Sequence, residues 1–173
     1  MRTYEKDRKW SDQFINPIRQ LMGLFAFEVA SDEIDQQFGA DLLSFRSILT
    51  ATHILARVRD FESYGPSTLK NYIHQFTIRE HRDSGAKTEY AKIMEGGGDY
   101  LLYVWGRMLL TRPEIMSGLL IDLDKFRHDH EQLTYASISN GDGTYFRCYQ
   151  ADDLVVVRRY YHLDIPNSWI NER

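Results

Sequence analysis

The sequence predicts an α/β fold with a mixed central β-sheet flanked by helices. Three observations carry that prediction. Residues 42–45, 53–60 and 72–79 are short apolar runs in which polar or charged residues recur at every second position, the period of a strand. A helical stretch at about 86–95 follows the third run and is stopped by Gly96, Gly97 and Gly98. Residues 100–106 are then apolar almost without a break, which suits a central strand covered on both faces.

At 173 residues the chain is expected to form a single domain, spanning 1–173, that buries a core without disulfides or a structural metal. Its 43% hydrophobic and 27% charged content excludes long disorder. Cys148 is the sole cysteine, so no internal disulfide forms, and an intracellular, cytoplasmic location fits best. No apolar run reaches the roughly eighteen residues that span a bilayer. Residues 1–10 are charged and lack the apolar core of a signal peptide, so no membrane association is expected. The net charge of −4 excludes a surface that is basic all round, and nucleic-acid contact then requires a local patch.

Residues 1–10 are polar and basic, an arm able to dock through Tyr4 or Trp10. Phe14, Ile15, Ile18, Leu21 and Met22 have helical spacing; either Ser11 caps this helix, or Asn16 caps one that starts at Pro17. Both versions end near Gly23. In 24–30, Phe25, Phe27 and Val29 alternate as in a strand, and the acidic segment 31–38 leads as a loop or short helical turn to Gly39. Of the strands at 42–45 and 53–60, the second places Ile54, Ala56 and Val58 on one face, expected to be the buried one, and Leu55, Arg57 and Arg59 on the other. Gly65-Pro66-Ser67 marks a loop at 61–71, and Asp83-Ser84-Gly85 supplies the turn and N-cap before the helix at 86–95.

Residues 107–117, with Pro113, read as a connection to a strand at 119–123, and Asp124 as the cap of a polar helix at 125–132. The segments 135–138 and 144–149 flank Asn140-Gly141-Asp142-Gly143 as a hairpin, and the Val-rich run 154–161 forms a further strand.

At Gly39-Ala40-Asp41-Leu42-Leu43, Arg57-Val58-Arg59 and Thr88-Glu89-Tyr90-Ala91-Lys92-Ile93 the chain resembles the PD-(D/E)XK nuclease superfamily in its small phage and prophage forms. The resemblance covers about 11–106 and leaves 107–173 as a C-terminal extension with extra strands. In that superfamily an Asp ends or follows one strand, Glu-X-Lys lies on the next, and a helix packs behind them; the carboxylates hold Mg²⁺ and the Lys orients the attacking water. Asp41 matches the Asp. Arg57-Val58-Arg59 stands where Glu-X-Lys belongs, and arginine cannot ligate a cation. Some members move the Glu to the following helix, where Glu89 and Lys92 lie one turn apart on one face. The resemblance therefore implies Asp41, Glu89 and Lys92 as catalytic residues, with Mg²⁺ on Asp41 and Glu89 and a third ligand offered by Asp99. In their ordinary structural roles Asp41 caps a turn, Glu89 pairs with Lys92 or Lys87, and Asp99 follows the glycine stop.

Arg57, Arg59, Arg79, His81, Arg82 and Lys87 fall on adjacent strands and the following turn, a candidate field for phosphate. The alternative is cross-strand pairing with Asp60, Glu62, Glu80 and Asp83, which interleave with them. His128-Asp129-His130 has the wrong spacing for a metal clip on a helix, and Cys148 has no partner that marks a nucleophile. Two functions are expected from these residues: a Mg²⁺-dependent phosphodiesterase acting on nucleic acid, DNA first, or a non-catalytic module of the same fold that binds nucleic acid or a host protein.

Overall fold

The computed structural model describes residues 4–22, 27–31, 42–47, 50–63, 70–162, 164, 165 and 168. The chain opens with two helices, α1 (Tyr4–Asp12) and α2 (Ile15–Met22), and continues through β1 (Phe27–Val29), β2 (Leu42–Ser47) and β3 (Thr50–Asp60). After β4 (Gln75–Arg82) and α3 (Glu89–Met94) come β5 (Tyr100–Leu109), β6 (Arg112–Asp122) and α4 (Leu123–Asp129). It closes with β7 (Tyr135–Ser139), β8 (Thr144–Gln150) and β9 (Val156–Tyr161).

A six-stranded mixed sheet has the order β1-β2-β3-β5-β6-β9, with β3 and β5 parallel and the other pairs antiparallel. A second, antiparallel sheet has the order β4-β8-β7. The expectation that 72–79 joins 42–45 and 53–60 in one sheet is therefore corrected: the strand starts at Gln75 and pairs with β8. Alternation shows that Phe76 and Ile78 face a core, and both are fully buried, but it does not say which strand lies alongside. Helix α3 packs on β4 and stands in the crossover between the parallel strands.

Both faces of the main sheet are covered. Leu55, Leu101, Tyr103 and Trp105 join Phe76, Ile78, Ile93, Phe126 and Tyr149 in the larger core, while Ile54, Leu102 and Val104 pack with Phe14 and Ile18 in a smaller one. Leu55 is thus as buried as Ile54, which corrects the expectation of a single buried face on β3.

Several boundaries move for local reasons. Residues 4–12 form a helix rather than an arm, and Trp10 docks on Phe14 with ring centroids 4.7 Å apart. Pro17 falls in the first turn of α2, where its missing N–H breaks no helical bond. The connection expected at 107–117 is a long β5–β6 hairpin with Leu110 at the turn (φ 58°). Its polar residues are a cross-strand pair, Arg107 Nε to Glu114 Oε2 at 3.0 Å, which disguises a strand as a loop. Helix α3 is capped by Thr88, whose Oγ1 accepts from the Ala91 amide at 3.3 Å. Asp122, not Asp124, caps α4, accepting from the amides of Asp124 and Lys125, both at 3.0 Å. Residues 32–41, with Asp41 among them, lie outside the described residues. Among those described, no helix is long and apolar enough to cross a membrane.

Gly106 shows how tightly the N-terminal helices seat on the sheet. A Cβ there would sit 2.3 Å from Cε1 of Phe14, whose ring is fully buried. Gly106→Ala is expected to destabilise the fold by about 1–3 kcal/mol through overpacking, read as a lower urea midpoint. Adding Phe14→Leu should recover part of that loss; strict additivity of the two changes would show that the contact does not limit packing.

Candidate anion-binding site

Strand β2 pairs with β3 from Ser47–Thr50 to Leu42–Ile54, and among the described residues no strand continues along that edge of β3. A cavity of about 440 Å³ opens there. Ala56, Arg57 and Val58 of β3 form its floor, and Val29, Ala30 and Leu42, at the ends of β1 and β2, close one end. Arg8, Asp12, Ile15 and Ile18 line it from α1 and α2. Arg79, Arg82, Lys87, Glu89 and Lys92 line it from β4, the following turn and α3.

The strand period decides which basic groups arrive. Arg57 lies on the same face of β3 as Leu55, towards the larger core, and there meets Glu89 in the first turn of α3. Arg57 Nη2 donates to Glu89 Oε2 at 2.7 Å, and the Arg79 backbone N–H donates to the same oxygen at 3.2 Å. The Glu89 side chain is 12% exposed. Burial by itself would push its carboxyl up, but the charge and hydrogen bond of Arg57, with the amide and charge of Arg79, outweigh it and hold the group below its ordinary 4.5. Glu89 therefore pairs with an arginine of the neighbouring strand, not with Lys87 or Lys92.

Arg79 is the unsettled member. Burial first, then the charges of Arg57 and Arg82, draw its guanidinium down to about 10 against the opposing pull of Glu89. Its Nε is buried with no hydrogen-bond partner among the described residues, and its guanidinium carbon lies 5.4 Å from the Phe146 ring centroid. Of the carboxylates that interleave with the basic residues in sequence, one pairs outside the basic set and one within it. Glu80 takes Arg147, whose Nε donates at 2.7 Å, and Asp83 lies 3.4 Å from His81 Nε2. Lys87 reaches Glu95 at the exposed rim.

No family model, curated protein or solved structure matches the chain.

The expected site residues thus divide. Arg57, Arg79, Arg82, Lys87, Glu89 and Lys92 come together at the cavity. Arg59 does not: it lies between the two sheets, donating to Tyr103 Oη at 3.0 Å and to Thr77 Oγ1 at 2.7 Å. Asp99 stands where β5 begins and accepts from the His53 amide at 2.7 Å, roughly 13 Å along β3 from Arg57. Asp41 lies outside the described residues, although its chain neighbour Leu42 lines the cavity. Cys148 Sγ bonds Gln75 Oε1 at 3.0 Å, and burial pushes its thiol up, as suits a structural cysteine.

Of the three expected Mg²⁺ ligands the described residues place Glu89 at the cavity and Asp99 away from it, while Asp41 lies outside them. Among the described residues no group of three or more His, Cys, Asp or Glu side chains is placed to hold a cation, and Glu89 spends its inner oxygen on an arginine and an amide. The lining carboxylates, Asp12 and Glu89, face four arginines and two lysines, a charge balance that attracts an anion. Sequence patterning missed Arg8 and Asp12, which stand at i and i+4 on α1; that spacing becomes visible only once residues 4–12 are taken as helical.

Proposed function

We propose that the protein binds nucleic acid through phosphate at this cavity, as a non-catalytic module resembling the PD-(D/E)XK nucleases. Arg79 carries this reading. A guanidinium that is desolvated, crowded by Arg57 and Arg82 and left with a buried Nε that has no partner among the described residues is costly to the isolated fold, and an anion in the cavity offsets the crowding of its charge. Arginine suits the task, since its planar fork makes paired bonds to phosphate oxygens.

The test is fluorescence anisotropy with single-stranded and duplex oligonucleotides between 50 and 200 mM salt. Affinity is expected to fall with salt as phosphate contacts release counterions, with a log–log slope reduced by about 1 in Arg82→Ala. Absence of binding at low salt, or binding indifferent to Arg79→Ala and Arg82→Ala together, would remove this function. A Mg²⁺-dependent cleavage product that disappears in Asp41→Ala would put a nuclease in its place.

A further inference from the structure

The cavity has two unlike sides and one point of convergence, and together they specify the kind of phosphate it suits. Ile15 and the half-exposed Val29 offer apolar surface beside Arg8, Ser11 and Asp12, with the buried Ile18 and Leu42 behind them, while Arg79, Arg82, Lys87 and Lys92 line the cavity from β4, the following turn and α3. Arg57 Nη2 and the Arg79 amide are taken by one carboxylate oxygen of Glu89, which draws Arg57 in beside Arg79. Arg82 is also close enough to crowd Arg79, so the guanidinium groups gather at one place rather than spreading along a track. An internal stretch of nucleic acid presents one charge per phosphodiester at regular intervals and is best met by an extended groove. A phosphomonoester carries about −1.5 to −2 at neutral pH with three acceptor oxygens on one atom, and it matches convergent cations better. The volume, about 440 Å³, lies in the range of small-molecule sites.

We infer that the cavity takes a nucleotide by its terminal phosphomonoester, with the phosphate among Arg57, Arg79 and Arg82 and the base against Ile15 of α2 and Val29 of β1. This rests on the nucleic-acid function proposed above and narrows it to strand ends or free nucleotides. Glu89 already occupies the inner end of the arginine cluster, so an incoming phosphate shares Arg57 with it and lies on its outer side.

The experiment compares one single-stranded oligonucleotide in three forms, with a terminal phosphate, with hydroxyl ends, and circularised, and adds competition by a nucleoside and its monophosphate. The phosphorylated form is expected to bind about tenfold more tightly than the other two, the value of one charged hydrogen-bonding group. That preference should shrink to about twofold or less in Arg82→Ala, with the thermal unfolding midpoint unchanged. The monophosphate should displace it and the nucleoside should not. Competition at equal concentration would assign the site to free nucleotides, and much weaker competition to strand ends. Equal binding of all three oligonucleotides would overturn the inference while leaving nucleic-acid binding intact; failure of every form to bind would remove both.

Discussion

Glu89→Gln is expected to cost the folded protein about 3 kcal/mol at neutral pH and, in the same variant, to raise affinity for phosphate-bearing ligands by about tenfold. Breaking a buried pair by removing one partner costs about 3–5 kcal/mol where the remaining charge stays buried, and the Arg57 side chain is 26% exposed. The lower end applies, since the amide can still accept from Arg79. The same loss of negative charge removes the Glu89 carboxylate as a competitor for an anion beside Arg57 and Arg79. The pH dependence separates this account from mere loss of packing. Glu89 is held below its ordinary 4.5, so its contribution is complete above that value and is lost as pH falls through the depressed folded value. Urea midpoints of the native protein should therefore converge on those of Glu89→Gln as the pH is lowered, whereas at pH 7 added phosphate should narrow the gap from the variant's side. A variant as stable as the native protein at pH 7, with the same acid dependence, would show that the Arg57–Glu89 pair does not hold α3 to β3.

Arg79→Met is expected to do the reverse. Binding should weaken by tenfold or more, through loss of a guanidinium worth about 1.5–3 kcal/mol to a charged partner. Stability in the absence of ligand should stay within about 1 kcal/mol of native or rise. The reason lies in the environment: burial and the neighbouring arginines already oppose the Arg79 charge, and its Nε has no partner among the described residues to lose. Methionine replaces the aliphatic stem of Arg79 as far as the buried Nε position with apolar atoms, and the backbone N–H that serves Glu89 is untouched. The measurements are oligonucleotide affinity and the urea midpoint on the same sample. A large drop in stability with unchanged binding would make Arg79 a structural residue and remove the main support for the proposed function.

Much of this site was legible in the sequence because it depends on local periods. Alternation on β3 put Arg57 on one face with Leu55, and the helix start placed Glu89 and Lys92 together one turn apart. What alternation cannot express is the identity of the neighbour. Arg57 and Arg59 share a face, yet Arg57 meets α3 at the cavity while Arg59 reaches Thr77 and Tyr103 between the sheets. Likewise Arg79 and Glu80 sit side by side in sequence and on opposite faces of β4, so the carboxylate expected to neutralise the patch turns to Arg147 instead. The long β5–β6 hairpin was hidden because its pairing charges, Arg107 and Glu114, have the composition of a loop.

The pairing of β4 with β8 joins residues 75–82 to residues 144–150, across a distance in sequence that spans α3, β5, β6 and α4. During synthesis the apolar side of the cavity, built from α2, β1 and β2, leaves the ribosome long before β4 has anything to pair with. A nascent chain that has completed β6 thus carries Arg79 and Arg82 on an unpaired strand, and the cationic side closes only when β8 arrives. Such non-local closure is slow, on the order of milliseconds to seconds for sheet-rich domains, so the two walls of the cavity are brought together late, after β8 has been made.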